Sequence, residues 1–225
     1  MLNGGATVFL LDVDNTLLDN DRFAADLGTH LQEAFGAAEC ARYWDIFAAL
    51  REQNGVADYL ASLQRFRQGL EDHPRLLLTA DFMLDYPFAA CLYAGAREVL
   101  AHLGRIGLPV VLSDGDVVFQ PRKIRRAGIW EALDGRVMIY DHKERALERV
   151  WRRYPAPHYV AIDDKTQLLA AMKLAAKRPL TTVFVRQGHY AHADGADRVT
   201  PPPDRSIERI GDLLQMTLND FEDTP

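Results

Sequence analysis

The apolar run Val8-Phe9-Leu10-Leu11 leads without a break into Asp12-Val13-Asp14-Asn15-Thr16, and no other stretch restricts the fold as much. Four apolar residues in a row, with no polar alternation, describe a strand buried on both faces. That is the habit of a parallel sheet covered by helices on each side. A buried strand ending in carboxylates is costly unless something pairs with them. Residues two apart on an extended chain point the same way, so Asp12 and Asp14 can converge on one site. At this chain's Asp and Thr content, Asp-x-Asp-x-Thr is expected by chance only about 0.1 times, before an apolar strand is required in front of it.

Four more β-branched-rich runs, residues 109–112, 136–139, 159–162 and 181–185, read as buried strands. Helix-like segments over 96–106, 119–127, 144–153 and 167–177 alternate with them, and 207–216 reads as a final helix. This alternation predicts an α/β fold, a doubly wound parallel sheet in a Rossmann-like arrangement. The usual strand order for such a sheet, 3-2-1-4-5, sets the first strand beside the fourth. The first strand is separated from this alternating run, which begins at about residue 95, by roughly eighty residues, too many for an ordinary βα connection. Most of that stretch, 21–86, is helical in pattern, with apolar positions at helical spacing over 26–35, 40–53 and 58–68. The expected organisation is therefore a core domain from 1–18 and 90–225 with a helical cap domain, 19–89, inserted after the first strand. Residues 187–197 and 200–204, the latter containing Pro201-Pro202-Pro203, read as weakly structured.

Composition narrows the function classes. The formal net charge is −6, with 26 basic against 32 acidic residues, so neither nucleic acid nor an anionic membrane is an expected partner. The one basic run, Arg122-Lys123-Ile124-Arg125-Arg126, reads as the solvated face of a helix. Cys40 and Cys91 have no metal-ligand or redox spacing, which points to a reducing, cytoplasmic setting. The N-terminal residues lack the features of a signal peptide, and no uncharged apolar stretch is long enough to span a bilayer.

Three further sequence sites fall at strand carboxyl ends, where ligands of open α/β sheets bind. Ser113-Asp114-Gly115 ends the second strand with a hydroxyl and a glycine turn. Lys143 follows the third, in Asp141-His142-Lys143-Glu144, and Asp163-Asp164 closes the fourth.

Taken in order, Asp12-x-Asp14-x-Thr16, Ser113, Lys143 and Asp163-Asp164 resemble the motifs of the haloacid dehalogenase superfamily, in its phosphohydrolase branch with an α-helical cap of the C1 type. The resemblance spans nearly the whole chain. It implies Mg²⁺-dependent hydrolysis of a small phosphorylated metabolite through an aspartyl-phosphate. Asp12 would be the nucleophile, and Asp14 the acid that protonates the leaving group and then activates water. Ser113 and Lys143 would hold the phosphoryl oxygens, with Thr16, Asp114 and Gly115 also at the substrate. The metal would be held by Asp12, Asp164 and the backbone carbonyl of Asp14, with Asp163 in support. Elementary chemistry agrees. A carboxylate attacking a phosphate dianion needs its charge neutralised by a hard cation, and a two-step hydrolysis needs one group that is acid first and base second.

Two departures stand out: Asp114 where an amide often follows the hydroxyl residue, and a Lys143 context unlike the commoner Gly-Lys-Pro. Lys123 is the alternative to Lys143, though its place in the basic helix argues for solvent. A phosphomutase or phosphotransferase would use the same groups, and an idle scaffold would not need the full set. A receiver domain would carry its acidic pair and acceptor in the reverse order. Dehalogenation does not need the acid at Asp14. His189-x-x-His192 reads as incidental, and Tyr43-Trp44 as core. Arg22, Arg51 and Arg65 are candidate contacts for an anionic substrate.

Overall fold

The computed structural model describes residues 6–192 and 198–222. Its centre is a six-stranded, wholly parallel sheet in the order β3-β2-β1-β4-β5-β6. The strands are β1 (Val8–Leu11), β2 (Leu108–Asp114), β3 (Val137–Tyr140), β4 (Tyr159–Asp163), β5 (Leu180–Val185) and β6 (Arg205–Ile207). The expected order holds for the first five, and β1 lies between β2 and β4, with Leu11 level with both Val111 and Ile162.

Alternation along β1 shows why every residue in it is apolar. Phe9 and Leu11 join one hydrophobic cluster while Val8 and Leu10 join another on the opposite face. Helices α8 (Leu147–Arg153) and α9 (Thr166–Ala175) cover the second face through Leu147, Val150, Leu169 and Met172. The first face is covered by α5 (Ala96–Ile106), α6 (Phe119–Arg126) and α7 (Ile129–Ala132), through residues such as Val99, Ile124 and Ile129. Completely burying a side chain such as Phe9 contributes roughly 1.5–3 kcal/mol.

Between β1 and β2 lie α1 (Asn20–Phe35), α2 (Ala37–Asn54), α3 (Tyr59–Phe66) and α4 (Arg75–Asp85). The Asp19 carboxylate caps α1 by accepting from the Arg22 N–H at 2.9 Å, and Asp58 caps α3 through Ala61 at 2.8 Å. Helix α2 ends at Gly55, whose left-handed backbone (φ 76°) closes it. Phe23, Leu27 and Leu31, four residues apart along α1, face inward and belong to the same cluster as Phe9 and Leu11. The inserted helices thus share a hydrophobic core with one face of the sheet.

Three expectations are corrected. Residues 207–216 do not form a single α-helix. Arg205–Ile207 instead adds β6 to the edge of β5, and Ile210–Gln215 winds as a 3-10 turn. The spacing of Ile207, Ile210 and Leu213 suits either winding. The start of the segment is tied down by Gln187, whose side-chain oxygen accepts from the Ile210 N–H at 2.5 Å, and by the pairing of β6. The segment expected as one helix over 144–153 is likewise a 3-10 turn, Lys143–Arg145, followed by α8. The stretch from 187 onward, read as weakly structured, contains the short helix α10 (Gly188–Ala191), while 193–197 lie outside the described residues. A last short helix, α11 (Asn219–Glu222), places Phe221 edge-on against Phe9. No helix among the described residues is long and apolar enough to cross a membrane. Cys40 and Cys91 are free.

Candidate active site

The carboxyl ends of β1, β2 and β4 bring the predicted residues together. The Asp12 N–H donates to Ile162 O of β4 at 3.0 Å, which fixes the Asp12 carboxylate next to those that follow Ile162. Asp12, Asp163 and Asp164 are all buried, and one oxygen from each lies within 4.8 Å of the others. Lys143 is buried among them, its Nζ 2.5 Å from Asp12 Oδ1 and 2.6 Å from Asp163 Oδ2. Its backbone N–H donates to Asp114 Oδ1 at 2.7 Å. The departure at Asp114 thereby gains a local role, as it anchors the loop carrying Lys143 to the end of β2.

Charge in this cluster is unbalanced. Asp12 Oδ2 and both oxygens of Asp164 are buried without a hydrogen-bond partner. Burial pushes the Asp12 carboxyl up to about 7, a rise that Asp163 reinforces and the Lys143 ammonium opposes. Asp164 is pushed up to about 9, chiefly by burial and then by Asp163 and Asp12. Burial works to lower Lys143, but the carboxylates of Asp12, Asp163 and Asp114 outweigh it and hold the ammonium charged. Lys143 at close range, with Lys165 acting from further off, still leaves three carboxylate oxygens without a partner. A hard divalent cation with oxygen ligands matches both the donor set and the orphaned oxygens of Asp12 and Asp164. Asp163 is already taken up by Lys143 and by the Lys165 N–H at 2.9 Å, a supporting position.

Asp14 has a different environment. Its Oδ1 accepts from Lys123 Nζ at 2.8 Å, and its Oδ2 from Gln120 Nε2 at 3.2 Å. Gln120 Nε2 also donates to the buried Ser113 Oγ at 2.9 Å, tying the second carboxylate to the β2 hydroxyl. Lys123 is therefore not solvated, as its basic run suggested. It is 1% exposed, with ring faces of Phe119, Phe88 and Tyr59 within 6 Å of its ammonium. Only its neighbours Arg122, Arg125 and Arg126 face solvent. Lys143 and Lys123 both belong to the site, one at each carboxylate. The signal for Lys123 is in the sequence: Phe119, Gln120, Lys123, Ile124 and Ala127 repeat at helical spacing and form the buried face of α6.

Other residues hold the loop after β1. Thr16 is buried, its carbonyl accepting from Gln187 Nε2 at 3.3 Å. Asn15 has a left-handed backbone (φ 61°), and its Oδ1 accepts from the Asn20 and Asp21 N–H groups at 2.9 and 3.2 Å, which caps the start of α1. Gly188 passes so close that a Cβ there would lie 2.4 Å from Asn15 Cβ. At Gly115 (φ 152°) a Cβ would meet Gln120 Cβ at 2.8 Å, so only glycine lets Gln120 reach Ser113 and Asp14. Asn15 and Lys165 carried no sequence signal, since their partners are distant in the chain.

A cleft of about 660 Å³ opens over Asp14 between the inserted helices and the sheet edge. Trp44 and Phe47 of α2 line it, so Trp44 is wall while its neighbour Tyr43 is core. Of the three candidate arginines, Arg51 lines the cleft. Arg22 donates to Ala90 O, and Arg65 is exposed on α3, away from the cleft. His189 bonds to Asp21 at 2.6 Å, while His192 is exposed.

A family model described as haloacid dehalogenase-like hydrolase matches residues 6–187. The chain belongs to the haloacid dehalogenase-like hydrolases. A solved haloacid dehalogenase-like hydrolase from Burkholderia xenovorans is 53% identical, with 97% of this chain and 99% of that one aligned at a TM-score of 0.91. The fold is shared with a magnesium-bound hydrolase of Bacillus subtilis from the same family, 18% identical over 94% of this chain and 98% of that one, with a TM-score of 0.63. It is shared too with L-2-haloacid dehalogenase of Xanthobacter autotrophicus, 16% identical over 93% and 97%, with a TM-score of 0.62. No functionally curated protein gives a significant match. Membership makes the chain an enzyme, a haloacid dehalogenase-like hydrolase, and the neighbours include carbon–halogen as well as other hydrolases.

Proposed function

We propose that this hydrolase is a Mg²⁺-dependent phosphohydrolase that cleaves a small phosphate monoester through an aspartyl-phosphate. The observation that carries the reading is the buried trio Asp12, Asp163 and Asp164 with three orphaned oxygens. Hydrolysis of a 2-haloacid needs a carboxylate nucleophile but no concentration of acids that must be neutralised. The Bacillus subtilis hydrolase of the same fold binds magnesium, which points the same way.

Lys143 holds the Asp12 carboxylate through Oδ1, and this carboxylate is the nucleophile that attacks phosphorus. Mg²⁺, held by Asp12, Asp164 and the Asp14 carbonyl, would neutralise charge on the phosphoryl group and on the attacking carboxylate. Lys143 and the Ser113 hydroxyl steady the equatorial oxygens, where charge gathers during transfer. Asp14 faces the cleft, its side chain 27% exposed, and hands a proton to the leaving oxygen before taking one from water. Lys123 and Gln120 set its orientation. The inserted helices act as a cap that excludes bulk water from this chemistry.

Phosphate release from a panel of phosphorylated metabolites, with Mg²⁺ and after exhaustive chelation, tests the reading. Turnover that is lost on chelation and regained with Mg²⁺ is expected. Halide release from 2-haloacids in chelator, with no phosphate release from any ester, would overturn it.

A further inference from the structure

Two cations in the cleft form no close ion pair, although the buried carboxylates of Asp12, Asp163 and Asp164 act on one of them, Lys165, from further off. Arg51 of α2 places its guanidinium 5.0 Å from the centre of the Tyr190 ring, and Lys165, just after β4, places its ammonium 4.8 Å from the same centre. All three side chains line the cleft over Asp14. Among the described residues neither cation has a carboxylate within 4 Å, and neither side chain donates a hydrogen bond.

The acids on the same walls are already engaged. Asp14 is bound to Lys123, and Asp21 to His189 and Asn15. Asp114 accepts from Lys143 N–H, and Asp116 from Val118 and Phe119 N–H. Glu144 lies beside His142 and Arg145. The acids on the cleft walls are thus engaged, Arg51 faces none of them closely, and Lys165 will be drawn on less by Asp12 and Asp164 once a cation balances that trio.

Position adds to the argument. Arg51 lies one turn before Gly55, where a Cβ would sit 2.8 Å from the His142 ring, so the end of α2 is pressed against the loop that carries Lys143. The two cations come from the cap and from the core, and one aromatic ring holds them together. Like charges gathered on a single ring repel, and an anion between them relieves the repulsion. A guanidinium fork beside an ammonium suits a carboxylate or phosphate. The cleft volume falls within the about 300–1,000 Å³ of ordinary ligand sites, far more than a lone phosphoryl group needs.

We infer that Arg51, Lys165 and Tyr190 form a second anion subsite, and that the substrate is a phosphate monoester whose leaving group carries a further anionic group, a carboxylate or second phosphate. This rests on the phosphohydrolase reading and narrows it.

The test is equilibrium binding of an inert series in the presence of Mg²⁺. Phosphonoacetate, 3-phosphonopropionate and 4-phosphonobutyrate are compared with neutral alkylphosphonates of equal length, and with the corresponding alkane diphosphonates. At least one anionic member is expected to bind about tenfold more tightly than its neutral match. Arg51→Met should bring that ratio to within about twofold, and Arg51→Lys should restore part of it. Whether the carboxylates or the diphosphonates show the larger ratio identifies the anion. No preference in the parent protein, or a preference that survives Arg51→Met, overturns the subsite. If phosphate esters are nonetheless turned over, the phosphohydrolase reading stands without it. If no phosphonate binds and no ester is turned over, both fall together.

Discussion

Lys123→Met is the substitution with the sharpest expected consequences, because it removes a buried cation from between Asp14 and Asn20 at almost constant volume. The Lys123 ammonium is 2.8 Å from Asp14 Oδ1 and 2.9 Å from Asn20 Oδ1, and its side chain is 1% exposed. Removing one partner of a fully buried ion pair costs about 3–5 kcal/mol, most of it from the charge left behind. Asp14 is less confined, at 27% side-chain exposure, and it keeps Gln120 Nε2 at 3.2 Å. Discounting for both brings the expected loss to about 1.5–3 kcal/mol. For a domain of this size that is a fall in Tm of about 3–12 °C.

Calorimetry of the single variants and of Lys123→Met/Asp14→Asn closes a double-mutant cycle. The double variant should be less destabilised than the sum of the singles, by about 1–3 kcal/mol. Asn20 begins α1, so the same substitution loosens the junction between β1 and the cap. Turnover should drop about 10- to 100-fold, as expected when a reacting group loses its orientation. The drop should be larger for alkyl than for aryl phosphates, because alkoxides need the proton more. Additive stabilities, or a Tm within about 1 °C of the parent (a change of under about 0.5 kcal/mol), would refute the pairing.

Asp12→Asn should yield no phosphorylated enzyme, whereas Asp14→Asn with an activated ester should accumulate one, as rapid quench with intact-mass analysis would show. A phosphoryl group on Asp12→Asn would reverse the assignment. Gly188→Ala forces a side chain onto φ 70° and into Asn15, and should cost about 1–3 kcal/mol in denaturant unfolding. An unchanged midpoint would show that the 187–190 loop yields freely. Burial holds the His158 imidazole below its ordinary range, Glu222 opposing only in part, and burial does the same to His30. A base with a lowered folded-state pKa adds stability that is complete above its unfolded value, near 6.5, and is lost as pH falls towards the folded value. The raised carboxyls of Asp12 and Asp164 act in the opposite direction over the same interval, so the histidine is read from a difference: between pH 7 and pH 5 the Tm of His158→Asn should gain on that of the parent. A difference between the two that does not change with pH would contradict this.

The parts of the fold legible in the sequence were those fixed by local chemistry. A four-residue apolar run is too short for a buried helix and suits a strand covered on both faces, and the two faces of β1 supply two clusters that need all four of its residues. The long helical stretch before β2 was legible because Leu27 and Leu31 recur at helical spacing. Residues 207–216 were misread because spacing alone does not separate a 3-10 turn from an α-helix. The groups that anchor this segment, Gln187 and the edge of β5, are more than twenty residues away in the chain.

The same limit runs through the site. Asp12 and Asp14 were found because they are neighbours in sequence and stand at the end of one strand. Their lysines are 131 and 109 residues away and reach them only through the order of the sheet. Read as a charge run, Lys123 belonged to solvent; read as one position in the pattern Phe119, Gln120, Lys123, Ile124, it belonged to the interior. Helical phase outweighs charge there because α6 must bury Phe119 and Ile124, and the ammonium they carry inward finds Asp14 waiting. That pairing also separates the two carboxylates chemically. Asp12 lies in a closed pocket with Lys143 and two further acids, where only a cation can balance it. Asp14 has its own lysine and an open cleft, the setting that the proposed acid–base role requires.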